Sequence, residues 1–197
     1  MFLKNPDTLE AAAYLEQERA SSGYVMNLER LWAWRPDAAH SMADLRKQLM
    51  HGSTLTLREF AVLVCAGARA AGDSYCALGW GTRLAKLADP LVAACVLRDA
   101  ESPGLTARER ALRLWAGQVV RAPHEARAEQ VEALRAAGLT DKEIFEASLF
   151  VAMRQAFSTV NGALGAQPDA EVLQAAPPEV RAAVTYGRPP VSGTEQH

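Results

Sequence analysis

Three short phrases of one design constrain this chain more than anything else in it: L-T-L-R-E at 55–59, L-T-A-R-E at 105–109 and L-T-D-K-E at 139–143. Each reads as a capping box. The Thr side chain accepts from the backbone N–H three residues on, and the Glu at that position reaches back to the Thr amide. Two of the amide donors that a helix start leaves without intrahelical partners are thereby satisfied. The phrases predict helices beginning at Thr56, Thr106 and Thr140. Around them Ala is plentiful, Val and Ile are thin, and apolar residues recur at helical rather than alternating spacing. The fold class expected is all-α, a compact helical domain.

The first box opens F-A-V-L-V-C-A-G-A-R-A-A, closed by Gly72. The third opens a longer helix whose Ile144, Leu149, Val151, Ala152, Ala156, Val160 and Leu164 cover more than one face. A helix apolar nearly all round is buried, either centrally or between subunits. Arg154 and Asn161 on that helix are polar groups that need partners, and they are expected to face a pocket or a subunit contact. Between the second and third boxes an amphipathic helix ends at Gly138. Upstream, M-N-L-E-R-L-W-A-W stops before Pro36, which opens the next helix. After Gly165 the chain turns Pro-rich. The organisation expected is one helical domain over 1–172 and a Pro-rich tail over 173–197, with little core-forming capacity and a mobile last ten residues.

With 49% hydrophobic and 22% charged residues, 197 residues suffice to bury a sizeable core. A formal net charge of −2 gives no overall attraction to nucleic acid or anionic membrane. No apolar run approaches the roughly 18 residues of a membrane span, and the N-terminus lacks a basic region followed by an apolar stretch. A cytoplasmic protein without nucleic-acid or membrane partners is expected. Its three cysteines, Cys65, Cys76 and Cys95, form no C-x-x-C, and its four histidines are scattered. Neither a disulfide framework nor a zinc site is suggested, and no metal or cofactor is expected. His51 and His124 adjoin loops and are expected to be solvated rather than to act as bases.

The order of the phrases carries more. N-L-E-R-L-W-A-W-R-P-D, then L-T-L-R-E, a helix ending A-G-D-S-Y-C, G-L-T-A-R-E-R-A-L-R-L-W-A and V-E-A-L-R-A-A-G-L-T-D-K-E-I-F-E-A-S-L follow one another. This set resembles the carboxymuconolactone decarboxylase-like superfamily, in its AhpD-like, peroxidase-related branch, over about residues 8–172. The resemblance implies a helical fold, thiol-dependent peroxidase activity, and assembly of copies into dimers, trimers or hexamers. It also implies a site: a Glu, then C-x-x-C twelve residues later, then a His four residues past the second Cys. In that family the second Cys is peroxidatic, the first resolves it, and Glu and His relay the proton. Carried onto this chain, the second Cys falls on Cys76, the first on Asp73, the His on Trp80 and the Glu on Ala61. One residue of four is kept, so the two-cysteine cycle does not carry over intact. Glu59, two residues from the Glu position, belongs to its capping box.

Gly72-Asp73 reads as a helix stop followed by a new N-cap. Cys76 is then the third residue of the next helix, where backbone N–H groups and the helix dipole favour a thiolate. The Asp73 carboxylate opposes that charge. Trp80 lies one turn beyond Cys76 and can shield the sulfur but cannot relay a proton. Arg83, two turns on, is a candidate charge partner for Asp73 if it points inward. Cys65 is a candidate resolving thiol if its sulfur comes within disulfide reach, and otherwise a core residue; Cys95 reads as structural. Three functions stay open. The first is a hydroperoxide reductase using Cys76 with an external thiol reductant. The second is a redox-inactive relative that binds or transforms a small organic molecule in the inherited cavity, a lyase-like reaction among them. The third is an oligomeric scaffold.

Overall fold

The computed structural model describes residues 1–191. Its regular structure is eleven α-helices and one 3-10 turn, and no strand occurs among the described residues. The helices are α1 (Leu9–Ser22), α2 (Asn27–Trp32), α3 (Pro36–Gly52), α4 (Leu57–Ala71), α5 (Ser74–Leu87) and α6 (Pro90–Leu97). They continue with α7 (Ala107–Arg121), α8 (Ala128–Ala136), α9 (Asp141–Ala163), α10 (Ala170–Ala175) and α11 (Pro178–Ala183). None is long and apolar enough to cross a membrane.

All three boxes form as the sequence predicts. Thr56, Thr106 and Thr140 cap α4, α7 and α9, and Glu59, Glu109 and Glu143 return the bond to the backbone. The boxes also have a second role that lies outside local geometry. Arg108 Nε meets Glu59 at 2.8 Å and its Nη2 meets Glu143 at 2.8 Å, while Arg58 meets Glu109 at 2.6 Å. The basic residue of one box thus pairs with the carboxylate of another, and three helix starts are tied into one cluster. All three carboxylates are buried, so they need both the caps and the guanidinium groups.

Helix α4 runs through the middle of the molecule, with every residue from Glu59 to Ala66 buried. It packs against α5, α6, α7 and α9. The Phe60 ring meets Phe150 of α9 at 4.7 Å. Large side chains sealed here, such as Leu63, Leu84 and Leu112, each contribute roughly 1.5–3 kcal/mol by leaving water. Helix α9 is central on one side only. Ile144, Phe150 and Val151 are buried, whereas Phe145, Ala152, Ala156 and Val160 form an exposed outer stripe.

The expectation that the chain after residue 172 has little core-forming capacity does not hold for residues 173–191. Val180 is wholly buried and Ala183 nearly so, where α11 packs on α6 and α5. A glycine makes room for them. A Cβ on Gly81 of α5 would lie 2.7 Å from Leu97 Cδ1 and 2.9 Å from Val180 Cγ1. Beyond α11, Gly187 has φ +75°, and a Cβ there would meet the Gly72 carbonyl oxygen at 2.5 Å. Ser74 Oγ donates to the Arg188 carbonyl at 2.6 Å, and Val191 N–H donates to that of Pro168 at 2.9 Å. The tail therefore braces the start of α5. Composition hides this, because a few short apolar side chains suffice where a glycine has left the gap. The expectation of mobility for the last ten residues falls mostly on 192–197, which lie outside the described residues.

Candidate active site around Cys76

Gly72 ends α4 in the left-handed conformation, φ 69°, and Asp73 starts α5 as its N-cap. Asp73 Oδ1 accepts from the Cys76 N–H at 3.0 Å. Its other oxygen accepts a hydrogen bond from Ser158 Oγ of α9. One turn earlier on α9, Arg154 Nη2 lies 3.0 Å from Cys76 Sγ and donates to it. The start of α5 is thus joined to α9 twice, once through the cap carboxylate and once through the sulfur. Cys76 is the third residue of its helix, as the sequence indicates, and is only 8% exposed.

Three influences compete at the thiol. Burial disfavours its ionisation most strongly, the Arg154 guanidinium favours it, and the Asp73 carboxylate disfavours it again. Burial prevails, and the Cys76 pKa is pushed up to about 12. The resting group is therefore a neutral thiol beside a carboxylate and a guanidinium. His51 and His124 are exposed. Among the described residues no three His, Cys, Asp or Glu side chains converge as a metal-ligand set.

Cys76 and Arg154 together border two voids. A narrow cleft of about 20 Å³ opens on the Asp73 and Ser158 side, between α4, α7 and α9. A cavity of about 540 Å³, open to solvent on one side, lies on the Trp80 side and is lined by α1, α2, α3, α5, α9 and Val172 of α10. The cavity is within the usual range for organic ligands. Arg154 stands over the Phe157 ring at 4.8 Å and near Trp80 at 5.9 Å, and Arg83 covers Trp80 at 5.1 Å. Phe157 in turn stacks on Trp32 with ring centres 4.9 Å apart. Trp32 Nε1 donates to Asn161 Oδ1 at 2.9 Å, while the buried Asn161 Nδ2 has no hydrogen-bond partner among the described residues.

Several expected site residues prove to lie elsewhere. Ala61 is wholly buried in α4 and borders neither void, because a methyl group at that position reaches only core neighbours. Arg83 lines the large cavity and stacks on Trp80, whereas Asp73 faces the narrow cleft, so the two do not pair. The cation near the Asp73–Cys76 pair is Arg154, flagged in the sequence only as a polar residue on an apolar helix. Cys65 is free, wholly buried and absent from both void walls; burial pushes its thiol well up, with Cys76 adding to the effect. It packs within the hydrophobic core. Cys95, also free, is partly exposed on α6.

No protein-family model and no curated protein matches the sequence. Among solved structures the chain is similar to an alkylhydroperoxidase AhpD core, an uncharacterized peroxidase-related protein from Ralstonia eutropha JMP134. The two are 25% identical with a TM-score of 0.73, over 87% of this chain and 93% of that one. An uncharacterized peroxidase-related protein from Silicibacter sp. TM1040 is 24% identical with a TM-score of 0.74 over the same shares. The debrominase Bmp8 shares the fold at 15% identity, TM-score 0.68, over 92% of this chain and 94% of that one. A cysteine-to-alanine variant of Bmp8 forms a complex with 2,3,4-tribromopyrrole. The eleven helices among the described residues and the likeness to these solved structures give this chain the all-α AhpD-like fold.

Proposed function

We propose that this chain is a one-cysteine hydroperoxide reductase that draws electrons from an external thiol. The observation that carries the reading is the Arg154 guanidinium at 3.0 Å from Cys76 Sγ, at the junction of a cleft and a cavity. The neutral resting thiol must lose its proton as it attacks, and Asp73 is the carboxylate beside it. The sulfur attacks the distal oxygen of the hydroperoxide while its proton passes to Asp73. The O–O bond breaks, the alkoxide leaves, and Asp73 returns the proton to it. The products are a Cys76 sulfenic acid and an alcohol. Arg154 stabilises the negative charge that moves from sulfur to the departing oxygen. One external thiol then displaces water from the sulfenic acid to give a mixed disulfide. A second releases the Cys76 thiol and leaves as the external disulfide.

Asp73 and Arg154 thus take the place of the Glu–His relay, and an external thiol takes that of the resolving cysteine. The peroxidase-related description of two neighbours in fold supports this reading. The three free cysteines suit a reducing, cytoplasmic setting, where such thiols are supplied. Copies of the chain associate in this proposal through the apolar outer stripe of α9. The test is consumption of cumene hydroperoxide with dithiothreitol as reductant, together with dimedone capture of the sulfenic acid. The full chain consumes peroxide and carries dimedone on Cys76. Equal consumption by Cys76→Ser would end the proposal.

A further inference from the structure

The large cavity holds more positive charge than a hydroperoxide group requires. Arg46 of α3, Arg83 of α5 and Arg154 of α9 reach its wall from three different helices. Among the described residues no carboxylate pairs with any of them, whereas Lys47 in the same wall is paired with Asp44 at 3.1 Å. Arg154 Nε is buried and has no hydrogen-bond partner. Its face rests on Phe157 and Arg83's on Trp80, so aromatic rings hold the guanidinium planes, and apart from the Arg154 Nη2 bond to Cys76 Sγ no hydrogen bond from either guanidinium occurs among the described residues. Arg46 is close enough to the other two that both disfavour its charge, in addition to the larger effect of burial. Two half-buried cations, Arg46 and Arg154, and the exposed Arg83 beside them, without a paired carboxylate among the described residues, call for an anion.

The rest of the wall narrows the choice. Leu28, Met42, Met153 and Val172 give the cavity an apolar side. Glu18 and Glu29 line it as well, so a second negative charge away from the arginines would be repelled. The volume of about 540 Å³ accommodates an organic molecule. We propose that this cavity binds an organic monocarboxylate with an apolar body, its carboxylate held by Arg46, Arg83 and Arg154. The inference goes beyond the thiol chemistry and does not rest on it, since the cavity binds such an acid whether or not Cys76 reacts.

The experiment is calorimetric titration of the full-length Cys76→Ser chain, which lacks the thiol, with 2-naphthoate and with its neutral isostere 2-naphthamide. Naphthoate binds, and naphthamide binds at least about tenfold more weakly, as expected for one lost charge-assisted hydrogen bond. Arg46→Gln/Arg83→Gln loses at least about tenfold in naphthoate affinity while its affinity for naphthamide is kept. A measurement on the same chain without these substitutions guards against a misfolded variant: added sodium chloride weakens naphthoate and leaves naphthamide unchanged. Equal affinity for acid and amide, no salt dependence, or no naphthoate binding would overturn the inference. Displacement of naphthoate by equimolar inorganic phosphate would also overturn it, since the site would then be a simple oxyanion site. Peroxide turnover on the parent chain is scored separately, so the two proposals fail independently.

Discussion

Replacing Arg154 by Met tests the electrostatic account of Cys76 most directly, because Met fills similar space and removes only the charge and the donors. The Nη2–Sγ contact of 3.0 Å acts on the thiolate far more than on the thiol. A hydrogen bond to a charged partner contributes about 1.5–3 kcal/mol, and each 1.36 kcal/mol is tenfold in thiolate population. Alkylation of Cys76 by iodoacetamide, followed by mass spectrometry in a Cys65→Ala/Cys95→Ser background, reads that population. With a pKa of about 12, the parent rate climbs roughly tenfold per pH unit from pH 7 to 10 without a plateau. Arg154→Met lowers the whole curve by about 10- to 100-fold, and Arg154→Lys by less. Asp73→Asn moves the curve upward, since Asn still caps the Cys76 N–H but carries no charge. A parent plateau below pH 9, or an Arg154→Met curve at or above the parent, would refute the reasoning.

Arg108→Met unties two capping-box carboxylates at once and lowers urea stability by about 2–3 kcal/mol, between the values for exposed and buried ion pairs. Glu143 titrates at about 2: burial opposes its ionisation, but bonds from Arg108, the Thr140 backbone and Thr54 outweigh it. Its folded pKa is below its unfolded one, so its stabilisation is complete above pH ~4.5 and is lost as pH falls toward 2. Melting temperature measured across that window therefore declines less steeply in Glu143→Gln than in the parent. Gly81→Ala drives a methyl into Leu97 and Val180 and costs about 1–3 kcal/mol in thermal or urea unfolding; an unchanged stability would mean that α11 is not docked as described. Phe145, 66% exposed on the α9 stripe, is the point at which to break the proposed assembly. Sedimentation then shows a smaller species for Phe145→Glu than for the parent, and a parent that is already monomeric removes the assembly proposal.

The helix plan was largely legible because its signals are local. A capping box joins residues three apart, Gly72 closes a helix at its own position, and Asp73 caps the helix that it precedes. The placement of Cys76 as third residue of α5 followed from that reasoning alone. The site itself was only partly legible. Cys76, Asp73 and Trp80 fall within two turns of one another, but the guanidinium that meets the sulfur comes from a residue 78 positions away. An Arg on an apolar helix signalled that some partner existed, without saying which. Ala61 was placed by the resemblance, as the position of the family's Glu, and Arg83 by its spacing to Cys76. Spacing along a chain does not say which void a side chain enters: Ala61 borders neither, and Arg83 lines the large cavity rather than the cleft that Asp73 faces.

By itself the sequence determined where α4, α5, α7 and α9 begin, that Gly72 and Gly138 close helices, and that the thiol would sit at a helix start, since caps and breakers act through bonds spanning a few residues. Only the tertiary structure decided that the arginine of one capping box neutralises the carboxylate of another. It alone also placed a Pro-rich tail against Gly81 and the start of α5, and enclosed Cys76 with Arg154 until burial outweighed the cation. Those outcomes depend on distances between helices remote in sequence and on how much water packing leaves around each charge, neither of which is encoded in any short stretch of the chain.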